Sequence, residues 1–180
     1  MIVSDLSAAG LQQASAHLAS IDADWARHVA TIGPCLHRAT PGREPYEALV
    51  RAIAYQQLHA RAAEAILQRM LALYPEAAFP SPQQLLATTP LALRGCGFSA
   101  NKLATVQGIA QARLDGLVPS RAEALGMADD ELIERLVTLR GVGRWTVEML
   151  LIYCLERSDI LPVDDFGVRE GYRRIKALDK

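Results

Sequence analysis

Apolar residues recur along this chain at spacings of three and four, with alanine and leucine dominating, and no stretch alternates Val, Ile or Thr with polar residues. A helix returns a side chain to the same face after three or four positions, so this periodicity predicts an all-α protein without a sheet of any size. Ser4 to Ala19 reads as a first helix with Ser4 as its cap, and Asp22 caps a second that runs through Trp25 and Val29 toward Ile32 before Gly33-Pro34 stops it. Arg38 to Glu44 reads as a loop, and Pro45 takes a first helical position. From about Tyr46 to Tyr74 the pattern predicts one long helix. Leu49, Ile53, Gln56, Gln57, Ala60, Ala63 and Leu67 share a broad stripe of it, which turns one or both glutamines toward the interior or a cleft.

Pro75 to Pro82 breaks that helix, and a short one begins at Ser81 or Pro82. After Leu93-Arg94-Gly95-Cys96-Gly97 come helices over Ser99 to Ala112, from Pro119 to Met127, and over Asp129 to Val137. The last of these runs straight into Leu139-Arg140-Gly141-Val142-Gly143. Arg144 to Leu155 is nearly all apolar after Arg144, apart from Thr146 and Glu148, the mark of a helix buried on most sides. A final helix starts after Pro162, with Asp164 or Asp165 at its N-terminus, and continues toward Ile175.

With 180 residues, 51% of them apolar, the chain can build one substantial core or two small lobes sharing one, and needs no staple. Its formal net charge is -1, so a nucleic-acid partner is not announced by composition and would have to be met by localised positive charge. Cys35, Cys96 and Cys154 are too few for a four-thiolate cluster and suit inert thiols in a reducing compartment. His17, His28 and His37 lack metal-ligand spacing, and no metal site is expected. The longest apolar run, Met149 to Leu155, is too short for a bilayer, so a soluble, cytoplasmic protein with no membrane association is expected. A monomer is expected too, independently of this run.

Chemistry enters at the Gly-Val-Gly string. Two glycines around a small apolar residue permit a tight reversal between helices and a close approach of a ligand to the backbone. The amides of Gly141, Gly143 and Arg144 then stand at a helix N-terminus, which attracts an anion such as a DNA phosphate, with Arg140 and Arg144 in support. Alone this signal is weak: a Gly-X-Gly string also serves as a plain helix-helix turn, and Gly95 to Gly97 has the same form. Asp165 follows 22 residues after Gly143 within Leu161-Pro162-Val163-Asp164-Asp165-Phe166-Gly167-Val168-Arg169, where local grounds alone allow an ordinary helix cap.

Leu139 to Thr146, with Asp164-Asp165-Phe166 beyond the apolar helix, resembles the helix-hairpin-helix DNA glycosylase superfamily, and most of all its 3-methyladenine DNA glycosylase II branch. Ala52-Ile53-Ala54-Tyr55-Gln56-Gln57-Leu58 resembles the glutamine-bearing helix of the same branch, and the similarity covers roughly Glu44 to Arg174. The resemblance implies two helical lobes around a cleft, in a single domain over 1–180. Helices of about 1–45 would pack with the C-terminal lobe around a core of about 46–180, which would end before the closing helices usual in relatives, as in a compact variant or a shortened chain.

By the same resemblance Asp165 is the catalytic aspartate and Asp164 a supporting carboxylate or the alternative, with Phe166 packed behind. Gln57, Leu58 and His59 fill the gap left by a flipped nucleotide or touch the backbone. Gln56, Tyr55, Trp145, Met149 and Trp25 border the base pocket. A carboxylate beside C1′ stabilises the positive charge that grows on the sugar as the base leaves, and can orient water. Lyase-type relatives carry a nucleophilic lysine where this chain has Trp145, which forms no Schiff base, so the expected activity leaves an abasic site without nicking. The implied partner is double-stranded DNA with damaged bases. No cofactor is implied beyond a monovalent cation, sodium or potassium, between hairpin carbonyls and phosphate. Further basic candidates for phosphate are Arg94, Lys102 and Arg169. Uracil, hypoxanthine or etheno-adduct specificity, and a non-catalytic DNA-binding module, remain open alternatives at this level.

Overall fold

Short polar residues at helix starts set much of the architecture. In the computed structural model, which describes residues 7–38, 40 and 42–178, eleven helices and no strand occur among the described residues. Two units are separable, one of residues 1–39 and 156–180, the other Thr40–Leu155.

The first unit holds α1 (Ala8–Ile21), α2 (Ala23–Ile32) and α11 (Phe166–Ile175). Ser7 caps α1 by accepting the Gly10 amide, and the predicted cap at Ser4 lies outside the described residues. Asp22 caps α2 through the Asp24 and Trp25 amides, and Gly33, at φ 77°, ends it as expected. Lys176, just past α11, pairs with Asp22, and Tyr172 meets Trp25 with ring centroids 6.4 Å apart.

The second unit holds α3 (Pro45–Tyr55), α4 (Ala60–Leu71), α5 (Pro82–Ala87), α6 (Pro90–Gly95), α7 (Ala100–Leu114), α8 (Arg121–Leu125), α9 (Asp129–Leu136) and α10 (Arg144–Tyr153). α7 is its axis, packing against α3, α5 and α6, while α10 packs on α3 and α9. Leu49, Ile53, Leu67, Leu85, Ile109, Leu132 and Leu151 are fully buried there, each worth about 1.5–3 kcal/mol of hydrophobic burial.

One expectation fails in this unit. The single helix over 46–74 is two helices, because the chain turns at Gln56–His59 and Gln57 adopts φ 56°. Leu49, Ile53, Ala63 and Leu67 are buried as the stripe required, yet Gln57 and Ala60 are exposed. The string at Leu93–Gly97 makes the plain helix-helix turn that its form allows, leading from α6 to α7. The helix that it ends, α6, has a Thr89 cap and a Pro90 start that the apolar pattern does not announce. Gly97 there has φ +108°, and a Cβ on it would stand 3.0 Å from Ile66 and Arg69 atoms, a packing reason for glycine.

Candidate nucleic-acid interface and active site

Seven helices begin on a Ser, Thr or Asp side chain that accepts an amide of the first turn. The other four lack one. Of those, α3 has Glu47 and α9 has Asp129, Asp130 and Glu131 in the first turn, which answer the helix dipole. That leaves α4, starting after His59, and α10, starting after Gly143, with neither a side-chain cap nor an acidic first turn. Such starts are open to an external anion.

At the α9–α10 hairpin, Gly141 has φ +80°, and a Cβ there would lie 2.3 Å from Thr105 Oγ1. Gly141 is therefore fixed by conformation and by contact with α7. Gly143, expected to need the same freedom, sits at φ -95° with nothing within 4 Å of a would-be Cβ. Its lack of a side chain leaves open space in front of the helix start. Val142 is buried and its amide donates to the Leu139 carbonyl, while the Gly143 and Arg144 amides find no acceptor among the described residues.

The turn at Gln56–His59 and the hairpin are joined. Gln56 Nε2 donates to the Gly141 carbonyl at 3.2 Å and to Thr146 Oγ1 at 3.1 Å. Gln56 thus braces the hairpin and, contrary to the expectation that it borders a base pocket, is not among the residues lining the cavity beside α3 and α10. Gln57, Leu58 and His59 are exposed beside it, as a DNA-facing turn requires. Lys102 is no phosphate ligand: its Nζ donates to the carbonyls of Ala54 at 2.9 Å and Gln56 at 2.6 Å, and burial lowers its pKa.

Arg144 also differs from expectation. Its Nε donates to Glu148 Oε1 at 2.9 Å, and Glu148 is buried while Arg144 is 58% exposed. The carboxylate offsets the charge Arg144 was expected to bring to phosphate, and Arg140 stays exposed without an ion pair among the described residues. Thr146 and Glu148, the two polar residues interrupting an apolar helix, were the available signal for both bonds.

A cavity of about 670 Å³ opens beside α3 and α10. Tyr55, Trp145 and Met149, which the sequence assigned to a base pocket, line it together with Arg43, Arg51, Glu64 and Tyr153, which the sequence did not single out. Tyr55 donates its hydroxyl to Glu64 Oε2 at 2.8 Å. Burial and then that bond push the Tyr55 phenol up, while Gln68 and then Tyr55 hold Glu64 below the usual carboxylate range. Glu64 was hidden because only the break at Gln56–His59 folds α4 back toward Tyr55. Trp25 lies in the other unit, with its ring against Tyr172 and 5.9 Å from the Lys176 ammonium, and does not line this cavity.

Asp165 caps α11 by accepting the Val168 amide at 2.9 Å, and Asp164 is exposed. Phe166, expected to pack behind Asp165, is 81% exposed. Gly167 is fitted to the cap, since a Cβ on it would stand 3.0 Å from Asp165 Oδ1. Among the described residues no group of His, Cys, Asp or Glu could hold a metal ion. A sodium or potassium ion takes carbonyl oxygens. At the hairpin the Arg140 and Val142 carbonyls accept no hydrogen bond among the described residues, whereas that of Gly141 is taken by Gln56.

The sequence profile of the HhH-GPD superfamily base excision DNA repair proteins matches residues 50–180. The chain belongs to this superfamily. It is 43% identical over 171 residues to DNA-3-methyladenine glycosylase 1 of Schizosaccharomyces pombe, covering 94% of this chain and 75% of that one. It is 38% identical to the alkylbase DNA glycosidase-like protein mag2 of the same yeast, covering 93% and 79%. The HhH-GPD fold aligns with the solved S. pombe 3-methyladenine DNA glycosylase in complex with abasic DNA at a TM-score of 0.89 and 43% identity, over 93% of this chain and 82% of that one. A Bacillus halodurans DNA-3-methyladenine glycosidase aligns at 0.74 and 29% identity, over 88% and 72%. The hairpin of this superfamily protein is thus the α9–α10 turn, and no described helix is long and apolar enough to cross a membrane.

Proposed function

We propose that this protein is a monofunctional DNA glycosylase that hydrolyses the N-glycosidic bond of alkylated purines such as 3-methyladenine in duplex DNA. The observation that carries it is the open start of α10: unaccepted amides at Gly143 and Arg144, with Trp145 and Met149 of the same helix lining a cavity large enough for a base. A relative of 43% identity has been solved with abasic DNA, the form that DNA takes once a base has been released.

The hairpin amides hold a phosphate and the Gln57-Leu58-His59 turn enters the stack as the damaged nucleotide leaves it. Trp145 stacks on the cationic alkylated base. Asp165, the residue the motif marks, supplies the carboxylate that stabilises the charge building at C1′ as the neutral base departs and orients the water that adds there. A base bearing an extra methyl leaves readily, so no leaving-group acid is required. Trp145 in place of a lysine leaves no amine to attack C1′, so the strand stays whole.

The test is base release from methylated duplex DNA, with strands resolved before and after hot alkali. Breaks only after alkali are expected, and Asp165→Asn should lower release by about a hundredfold or more. Binding that persists without release from any alkylated, uracil, hypoxanthine or etheno-adduct duplex would identify a non-catalytic binding module instead.

A further inference from the structure

We propose that Lys102 is a positioning residue for base excision: its ammonium closes the C-terminal end of α3 and holds the Gln57–Leu58 turn in the shape that enters DNA. This deepens the glycosylase reading above and rests on it. Helix ends leave carbonyls without partners, and these carry the negative end of the dipole. Where most helices use water or a glycine turn, α3 uses an ammonium from α7, bonded at 2.9 and 2.6 Å to the Ala54 and Gln56 carbonyls. Lys102 is partly buried and pairs with no carboxylate among the described residues, so its charge serves those two oxygens.

The turn it holds needs holding. Gln57 has φ 56°, a left-handed conformation that a non-glycine residue keeps only when its surroundings over-determine it. Leu58 next to it is 40% exposed, so packing does little to fix the turn. The same α7 face bears Thr105, one turn after Lys102, against which Gly141 is seated. One helix face therefore carries both the turn and the hairpin, and Gln56 bonds them to each other across it. Without Lys102 the α3 end loses its two bonds while the hairpin amides keep their geometry, so nucleotide eversion should suffer and phosphate grip should not.

The full chain and its Lys102→Met and Lys102→Arg variants would be compared in single-turnover release from methylated duplex. Affinity for undamaged duplex, thermal melting, and fluorescence of a 2-aminopurine beside an abasic-site analogue would be measured alongside. Lys102→Met should release base about tenfold to a hundredfold more slowly and lose the 2-aminopurine signal, with duplex affinity little changed. Lys102→Arg, whose guanidinium can still bridge two carbonyls, should recover most of both. Equal release and signal in Lys102→Met would overturn the proposal. So would a melting loss in which Lys102→Arg is no better and release, signal and duplex affinity all fall together. If the unaltered protein releases no base, the glycosylase reading fails, and the 2-aminopurine comparison still decides whether Lys102 shapes the turn.

Discussion

Two glycines one residue apart look alike on paper and are held to their identity by different forces. Gly141 lies at φ +80° with Thr105 where its Cβ would go, so Gly141→Ala meets both backbone strain and a clash at 2.3 Å. Strain of this kind costs about 1–3 kcal/mol before the clash is counted, and a clear drop in melting temperature is expected. Gly143→Ala meets neither, since its φ is ordinary and its Cβ would point into open space. Its stability should stay within about 1 kcal/mol of the parent, while duplex affinity falls because a methyl stands where phosphate would approach. Melting curves and binding isotherms on both variants read the difference directly. The Gly-X-Gly spacing was legible in the sequence; the division of labour was not, because it depends on Thr105, 36 positions before Gly141. For the same reason Gln56 was read as a pocket residue: nothing near it in sequence announces Gly141 or Thr146 as its partners.

At the scale of elements, starts and stops written in local chemistry were readable. Pro45, Asp22, Gly33-Pro34, Ser81 and the Asp165 cap stand where the sequence put them. The turn at Gln56–His59 was not, because each of those residues suits a helix and the break is enforced from α7. On α10, Arg144→Ala would leave the buried Glu148 carboxylate without its partner and should destabilise by about 1–3 kcal/mol. Glu148→Gln, which stays isosteric and uncharged, should soften that loss in the double variant, measured by urea unfolding. On α11, Arg173 and Arg174 hold Glu170 down at about 2, well below its ordinary 4.5. A carboxylate depressed in the folded state stabilises above the unfolded pKa and loses that contribution as pH falls through the folded one. Unfolding followed from pH 7 downward should therefore show a loss between about 4.5 and about 2 that Glu170→Gln removes.

For the molecule as a whole, 19 basic residues face 20 acidic ones, and the cations nearest the hairpin are mostly engaged. Lys102 serves two carbonyls and Arg144 serves Glu148, which leaves Arg140 as the hairpin arginine without an ion pair among the described residues. A protein that grips phosphate through amides displaces few condensed counterions, and the salt slope counts the phosphates neutralised by charged groups. If the hairpin amides carry the grip, only one or two phosphates are neutralised by cations, and affinity for undamaged duplex should fall only about threefold to tenfold between 50 and 200 mM salt. A fall of about a thousandfold would instead require six or more cationic contacts and would move the grip from the backbone to side chains. Arg140→Ala sharpens the test, because it should remove about one unit of slope and leave the affinity at high salt nearly unchanged.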